Sequence, residues 1–242
     1  GNARQREREG IEALASYQVE GFILNTLGAD PSVAGAIARH GKPAVLVDRK
    51  LADMQADFVS LDNADAVRQA VTHMLGAGWR ELLYVTEPVA GVSPRIERAA
   101  AFLENAVSPV NDVGATVIEL IDGESAGLEQ ALLDLRQRSG DRPAAVLASN
   151  ARTTLRVAAA VSHLGWRLGR ELGFVGIDET NWAPLVGPGL TTIEQPTEDI
   201  GRIAVGCLLE RIQGHELPPK QVLLAGHLIP RASSQRPNGQ LC

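Results

Sequence analysis

The sequence predicts an α/β fold in which parallel β-sheets are flanked by helices. Short apolar segments alternate along the chain with segments whose apolar residues recur every three or four positions. Such an alternation of strands and helices is typical of parallel sheets that are covered on both faces. A length of 242 residues is enough for one large domain or for two lobes that each bury a core.

The strands are predicted from short apolar segments that are followed by polar or turn residues. They lie at 20–25, 44–47, 58–63, 82–85, 116–121, 144–150, 174–177, 190–196 and 222–229. The helices are predicted from apolar periodicity and capping residues, and Pro94 suits the first turn of its helix. They cover 1–17, 31–40, 63–75, 93–107, 125–135, 151–164 and 197–213.

The composition is that of a globular protein, with 45% hydrophobic residues. No apolar run approaches the ~20 residues of a membrane-spanning helix. The net charge of −6 argues against a surface that binds nucleic acids, because phosphate contacts need clustered Lys and Arg. The two cysteines, Cys207 and Cys242, form neither a disulfide framework nor a metal cluster, and they suit a reducing cytoplasm.

None of the common catalytic or cofactor motifs occurs in the sequence. It contains no glycine-rich dinucleotide or phosphate loop, no HExxH, no CxxC and no GxSxG. The five histidines are scattered, and none has a partner acid at motif spacing. The sequence therefore predicts no catalytic residue, no cofactor and no metal site.

Several polar residues follow predicted strands or open predicted helices. Asp48, Asn150 and Asp178 each end a strand, and Gln195 lies in a connection. In open α/β sheets, ligands bind just beyond the carboxyl ends of strands. Arg98 lies about one turn inside its helix, and the apolar positions 96, 99, 100 and 103 place it away from the buried face. Carboxylates, amides and a guanidinium together suit a polyhydroxylated ligand.

Each of these residues also has a simpler interpretation. Asp48 and Asn150 could cap helices, and Arg98 could form a surface ion pair. Asp178 could be an ordinary loop acid that caps the next turn.

Two separated motifs carry a resemblance to a known family. The segment 175–178 reads VGID and 190–196 reads LTTIEQP, which resembles the effector-binding core of LacI/GalR-type bacterial transcriptional repressors in order and spacing. The segments 41–49, 73–85 and 231–234 resemble further family patterns, with Trp79 in place of the usual His. The pattern S-x-x-x-x-R-x-x-G-F is similar to Ser93, Arg98 and Phe102, with Ala101 at the Gly position. The resemblance covers nearly the whole chain.

This resemblance implies a two-lobed fold like that of type I periplasmic sugar-binding proteins, with a carbohydrate or sugar-acid effector bound between the lobes. The lobes are expected at 1–77 plus 195–222 and at 78–194 plus 223–236, followed by a tail at 237–242. The resemblance also implies a cytoplasmic homodimer whose N-terminal headpiece binds operator DNA. The sequence begins at what resembles the second helix of the effector domain. The headpiece and the first strand, helix and strand are therefore expected to be missing, and the first lobe to be incomplete.

The resemblance also implies a set of effector-binding residues and two departures from the family pattern. The implied residues are Asp48, Ser93, Arg98, Asn150, Asp178 and Gln195. Ala151 stands where the family usually has Asp, and Arg152 follows it. The segment 123–125 lacks the aromatic residue that often stacks on a sugar face. Both departures favour an acidic sugar or another anionic metabolite over a neutral hexose.

Two other functions stay open at this point. A periplasmic sugar-binding protein of a transporter would share the fold and the cleft, but the LTTIEQP connection, the RASS segment and the lack of a visible signal sequence favour a repressor. A doubly wound enzyme is disfavoured because cofactor and nucleophile motifs are missing.

Overall fold

The computed structural model of the protein describes residues 2–27, 31–51, 54–107, 113–121, 125–215 and 217–236. Helices and mostly parallel strands alternate within them, which confirms the predicted α/β class. The expected tail at 237–242, Cys242 and residues 123 and 124 lie outside the described residues.

The secondary-structure elements follow the predicted order. The strands are β1 (Phe22–Leu24), β2 (Ala44–Val47), β3 (Asp57–Leu61), β4 (Glu81–Thr86), β5 (Gly114–Glu119), β6 (Ala144–Ala148), β7 (Gly173–Ile177), β8 (Thr191–Glu194), β9 (Gln221–Leu224) and β10 (His227–Ile229). The helices are α1 (Asn2–Ser16), α2 (Pro31–His40), α3 (Asn63–Gly76), α4 (Ser93–Ala106), α5 (Ser125–Ser139), α6 (Ala151–His163) and α7 (Thr197–Ile212), with a 3-10 turn at Ala183–Leu185.

The chain divides into two compact units, and the first comprises residues 1–62, 90–94 and 196–225. Its sheet has the order β1-β2-β3-β9, and all of its strand pairs are parallel. Helices α1 and α2 share one apolar cluster with the strands, which includes Ile37 and Phe22. Helix α7 shares a second cluster, in which Ala204 and Cys207 accompany Val45. Helices on both faces therefore bury the central strands β2 and β3, as a parallel sheet requires.

A buried ion pair joins β3 to α7 in the first unit. The side chain of Asp57 is 1% exposed and accepts hydrogen bonds from Arg211 Nε and Nη2, both at 2.8 Å. Its Oδ1 also accepts a hydrogen bond from the backbone N–H of Lys220 at 2.7 Å. The bonds from Arg211 are the main reason why the pKa of Asp57 is lowered, although burial alone would raise it. The charge of this buried acid is thus compensated on several sides.

The second unit comprises residues 63–89, 95–195 and 226–242. Its sheet has the order β10-β8-β7-β6-β4-β5, in which only the β10–β8 pair is antiparallel. Helices α5 and α6 share an apolar cluster with strand residues such as Val146 and Phe174. Tyr84 of β4 stacks on Phe102 of α4, with ring centroids 5.4 Å apart. This sheet also has helices packed on its strands.

Trp79, which stands where the family usually has His, is part of the core of the second unit. It is 1% exposed, and its Nε1 donates a hydrogen bond to Ser234 O at 2.7 Å. A Cβ at Gly173 would lie 2.4 Å from Trp79 Cε2. The indole therefore packs against the first residue of β7, where only glycine leaves enough space.

The borders between the units differ from the expected lobe borders at several points, and residues 90–94 also belong to the first unit. Helix α3 packs against β7 and β10, so the chain enters the second unit between residues 62 and 63, not near residue 77. The predicted strand at 222–229 is two strands, since β9 pairs with β3 in one sheet and β10 pairs with β8 in the other. The chain returns to the second unit between residues 225 and 226.

Candidate functional site

The carboxyl ends of β4, β6, β7 and β8 lie along one edge of the second sheet, because these strands are parallel neighbours. Asn150 comes two residues after β6, Asp178 directly after β7, and Gln195 directly after β8. Three of the predicted site residues are therefore placed at this edge, where α/β folds bind ligands.

Asp178 is held at this edge from two sides. Its Oδ2 accepts a hydrogen bond from the backbone N–H of Ala151 at 3.0 Å, and its Oδ1 accepts one from Gln195 Nε2 at 2.5 Å. Its φ of +82° lies in the left-handed region, which is strained for most residues but which Asp adopts more readily. These partners lie on α6 and after β8, so Asp178 links separate elements. A carboxylate has about four acceptor positions, which leaves capacity for a ligand.

Asn150 caps α6, as the simpler of its two interpretations predicts. Its Oδ1 accepts a hydrogen bond from the backbone N–H of Thr153 at 2.9 Å. Its Nδ2 donates to Glu87 Oε2 at 2.8 Å. The first turn of α6 is therefore fixed by Asn150 and, through Ala151, by Asp178.

Glu87, which directly follows β4, belongs to the same edge and was missed by the sequence analysis. It is 8% exposed. Its Oε2 accepts a hydrogen bond from Arg95 Nη2 at 2.6 Å, and its Oε1 accepts one from Arg152 Nη1 at 3.0 Å. The only sequence signal for Glu87 was an acid after a buried strand, the same signal that pointed to Asp48 and Asp178.

The prediction that Arg98 lies away from the buried face of α4 is wrong. Arg98 is 5% exposed; its Nε donates to Asn63 Oδ1 and its Nη1 donates to Ser149 O, both at 2.7 Å. The buried positions of α4 are 94, 98, 101, 102 and 106, whereas Ile96 and Leu103 are exposed. A cation can be buried here because polar acceptors bind two of its three nitrogens. Its Nη2 has no acceptor among the described residues.

Asp48 and Ser93 belong to the first unit. Asp48 directly follows β2, has a φ of +62°, and donates its backbone N–H to Val59 O at 3.1 Å. Ser93 opens α4, and its Oγ accepts a hydrogen bond from the backbone N–H of Lys50 at 2.9 Å. Lys50, two residues after Asp48, thus connects the segment after β2 to Ser93. The other four predicted site residues lie in the second unit.

The loop after Asp178 is tied to the C-terminal segment by Glu179. Its Oε1 and Oε2 accept hydrogen bonds from Arg231 Nη2 and Nη1 at 2.8 and 2.9 Å, and Thr192 Oγ1 also donates to Oε2. Burial alone would raise the pKa of Glu179, but the bonds from Arg231 and Thr192 hold it below its ordinary value. This bidentate pair fixes the residue next to Asp178.

The edge of the second sheet offers hydrogen-bond acceptors on Asp178 and Glu87 and donors on Arg98 and Gln195. This mixture suits a ligand that carries several hydroxyl groups. Over the part of the chain that the structure describes, no group of three or more His, Cys, Asp and Glu side chains could hold a metal ion. None of the described helices is long and apolar enough to cross a membrane.

Comparison with known proteins gives the fold a family context. The sequence profile of the periplasmic binding protein-like domain matches residues 71–234. A solved structure, the transcriptional regulator CelR in complex with cellobiose, superimposes with a TM-score of 0.78 at 24% identity. That match covers 94% of this chain and 69% of the other.

Two sequence relatives are HTH-type transcriptional regulators. The chain is 42% identical to PtxS of Pseudomonas plecoglossicida over 229 residues, which are 95% of this chain and 66% of that protein. It is 36% identical to KdgR of Bacillus subtilis over 236 residues, which are 96% of this chain and 68% of that protein. The chain thus spans about two thirds of the length of these relatives.

Proposed function

The chain belongs to the LacI/GalR family of bacterial transcriptional regulators, and from this premise we propose that it is the effector-sensing domain of a repressor. Its ligand is a carbohydrate or a sugar acid that binds at the carboxyl ends of the strands of the second sheet. Binding shifts the balance between two arrangements of the protein that differ in operator affinity, since an effector acts through its different affinity for the two states.

The observation that carries the proposal is the position of Asp178. Its carboxylate is fixed between α6 and Gln195, and its backbone is held in the left-handed region. Strained backbone of this kind clusters at functional sites. Asp48 has the same left-handed backbone at the end of β2 in the first unit. Each of the two acids, considered within its own unit, thus directly follows a strand and has a left-handed backbone.

An anionic effector is favoured over a neutral hexose. Arg95, Arg98 and Arg152 all contact this edge of the second unit, whereas Ala151 supplies no acid where the family usually has one. Guanidinium groups bind carboxylates and phosphates through paired hydrogen bonds. An aldonic, uronic or keto-aldonic acid combines the hydroxyls and the negative charge that these residues suit.

For the whole protein, the proposal includes a cytoplasmic homodimer that binds operator DNA through an N-terminal headpiece outside these residues. A transporter's sugar-binding protein has the same type of fold, but the relatives at 42% and 36% identity are transcriptional regulators. These two relatives also favour a role in transcriptional regulation over an enzymatic activity.

The proposal is tested by calorimetry with a panel of sugars, sugar acids and sugar phosphates. We expect one class to bind, and Asp178→Ala to weaken that binding by about 1.5–3 kcal/mol, the usual loss for a hydrogen bond to a charged group. Asp199→Ala is the control, because Asp199 is an exposed acid on α7, paired with Arg202. Unchanged affinity in a folded Asp178→Ala variant would contradict the assignment of the site.

A further inference from the structure

We propose that Asn63, a buried neutral side chain, leaves the positive charge of Arg98 uncompensated and thereby gives the site of the second unit its preference for an anionic effector. The inference rests on the proposed function. It adds a positioning residue to that function, since Asn63 acts on the effector through Arg98. The sequence analysis did not assign Asn63 to the site.

Arg98 is a buried cation that contacts neutral acceptors. It is 5% exposed, and its Nε and Nη1 donate to Asn63 Oδ1 and Ser149 O, both at 2.7 Å. Within the part of the chain that the structure describes, no carboxylate lies within ion-pair distance of its guanidinium. A buried charge without a counter-charge is costly, because burial removes it from water. An anionic ligand at this edge of the sheet would supply the counter-charge.

The amide of Asn63 is fixed so that its oxygen faces Arg98. Asn63 is 2% exposed, and its Nδ2 donates to Glu97 Oε2 at 2.8 Å while its Oδ1 accepts from Arg98. A guanidinium only donates hydrogen bonds and a carboxylate only accepts them, so both neighbours require the same orientation of the amide. Asn63 thus separates the cation from the acid, and it binds Arg98 without cancelling its charge.

Tyr84 also gives Arg98 no counter-charge. Its ring is fully buried and stacks on Phe102, which lies on the same helix as Arg98. Burial raises the pKa of Tyr84 to about 12, and the positive charge of Arg98 opposes this effect only in part. The phenol is therefore neutral at neutral pH, and the charge of Arg98 persists.

The neighbouring cations differ from Arg98, because an acid pairs with them. Glu87 accepts hydrogen bonds from Arg95 Nη2 at 2.6 Å and from Arg152 Nη1 at 3.0 Å. Of the three arginines at this edge, Arg98 is the one that neutral groups hold. Its charge is also little screened by solvent, since buried charges are screened less than exposed ones.

Asp178 is the complement of Arg98 at the same edge. Neutral donors bind its carboxylate, namely the N–H of Ala151 at 3.0 Å and Gln195 Nε2 at 2.5 Å. Ala151 follows Ser149, whose carbonyl binds Arg98, by two residues. Neutral groups therefore hold one cation and one anion beside the same short segment. A sugar acid presents hydroxyl groups that donate to Asp178 and a carboxylate that accepts from Arg98.

The first test compares Asn63→Asp with Asn105→Asp, the same change on α4, where Asn105 Nδ2 donates to the carbonyl of Ala101. Asp at position 63 keeps an oxygen that accepts from Arg98 but adds a counter-charge. Each variant of the full chain is titrated calorimetrically with aldonic, uronic and keto-aldonic acids. The amide of each acid is titrated as well, because it has the same hydroxyl groups and no charge.

We expect Asn63→Asp to lose about tenfold or more in affinity for the tightest acid, while its affinity for the matching amide stays within about threefold. Asn105→Asp should resemble the wild type with both compounds. A merely structural role of Asn63 would lower the two affinities equally, so the ratio of acid to amide affinity separates the two roles.

The second test uses Glu97→Gln, which removes the acid on the other side of Asn63 and keeps a side-chain oxygen for its Nδ2. Because Glu97 opposes an anion near Arg98, this variant should gain about twofold or more in affinity for the acid, with the amide unchanged. Glu104→Gln is the control, since Glu104 is an exposed acid further along α4. If Asn63→Asp does not fold, this second pair of variants decides alone.

Opposite shifts of the acid-to-amide ratio in Asn63→Asp and Glu97→Gln would support the inference. A wild type that binds an acid, combined with an unchanged ratio in both variants, would overturn it and leave the proposed function standing. A wild type that binds neutral sugars but no acid would overturn the inference together with the anionic class of effector. A wild type that binds none of these compounds would contradict the proposed function as well.

Discussion

At the scale of single residues, Arg98 is a buried cation that joins three elements of the second unit. It extends from α4 to Asn63 at the start of α3 and to the carbonyl of Ser149 after β6. A buried polar group that loses its partner keeps the cost of its desolvation. Truncation of Arg98 would leave two buried acceptors, Asn63 Oδ1 and Ser149 O, without the hydrogen bonds that Arg98 donates to them.

We therefore expect Arg98→Ala to lower the free energy of unfolding by about 1–3 kcal/mol, in addition to any loss of effector binding. Arg98→Lys should be nearly as harmful to effector binding and stability, because one ammonium cannot reproduce the two donor positions of the planar group. Urea unfolding measures the stability effect, and Arg202→Ala is the control. Arg202 is 71% exposed and pairs with Asp199, so its loss should matter by less than about 1 kcal/mol. Equal stabilities of the two alanine variants would contradict the structural role of Arg98.

The sequence identified the strand-end residues better than the orientation of α4. Asp178 and Asn150 follow strands that are continuous apolar runs, and their positions in the structure agree with that pattern. Their contact with an effector stays a prediction. The orientation of α4 was read from Ile96 and Leu103, yet these residues are exposed. Periodicity failed here because a buried arginine does not count as apolar, so the true buried face looked polar.

At the scale of elements, the packing of Trp79 on β7 depends on the absence of a side chain at Gly173. A Cβ at this position would meet the indole at 2.4 Å, and the indole is enclosed by the core. Gly173→Ala should therefore destabilise the second unit by about 1–3 kcal/mol, as overpacking usually does. Thermal or urea unfolding gives the value.

Gly206→Ala is the matched control for this prediction. Gly206 lies in the interior of α7, and a Cβ there would meet nothing within 4 Å. Because alanine favours helices, this variant should be stabilised by about 0.5–1 kcal/mol. Destabilisation of the Gly206 variant together with a neutral Gly173 variant would reverse the expected order and refute the packing argument.

The contact between α3 and the C-terminal segment should make stability depend on pH. His73 Nε2 lies 2.7 Å from Ser234 Oγ, and burial lowers the pKa of His73. The folded state then binds a proton less readily than the unfolded state. Stability should therefore fall as the pH drops through the ordinary histidine pKa of about 6.5 towards the lower value of the folded state. Asp57 and Glu179 have lowered pKa values, so their contribution is lost only in more acidic solution.

This expectation is checked by melting temperatures at pH values of about 7.5 and 5.5. The loss on acidification should be smaller in His73→Gln than in the wild type. His163→Gln serves as the control, because the side chain of His163 is 69% exposed, and it should lose as much as the wild type. The same loss in all three proteins would show that His73 is not the responsible group.

Element boundaries depended on pairing partners that a single sequence does not reveal. The segment 222–229 looks like one extended strand, but β9 and β10 pair in different sheets. Helix α3 has a regular apolar stripe, and nothing in that stripe indicates which sheet it covers. Local periodicity predicts an element and its buried face, whereas the partner is decided by tertiary packing. The class of fold was predictable because it needs only the order of the elements.

At the scale of the whole molecule, the net charge does not favour binding to phosphate. Several arginines in each unit pair with acids, as Arg39 does with Glu12 and Arg142 does with Glu81. The net charge of the chain is −6. Sequence-specific DNA binding needs clustered cations and an element that enters a groove.

We therefore expect these 242 residues to bind operator DNA no more tightly than an unrelated duplex. The sequence contains no helix-turn-helix pattern, and the acidic net charge opposes approach to a polyanion, most strongly at low salt. The measurement is a gel shift at low ionic strength, with DNA from upstream of the protein's own gene and a scrambled duplex of equal length as the control. Tight binding to the upstream DNA that weakens steeply with salt and spares the scrambled duplex would contradict this expectation. Such a result would require a cationic surface despite the net charge of −6.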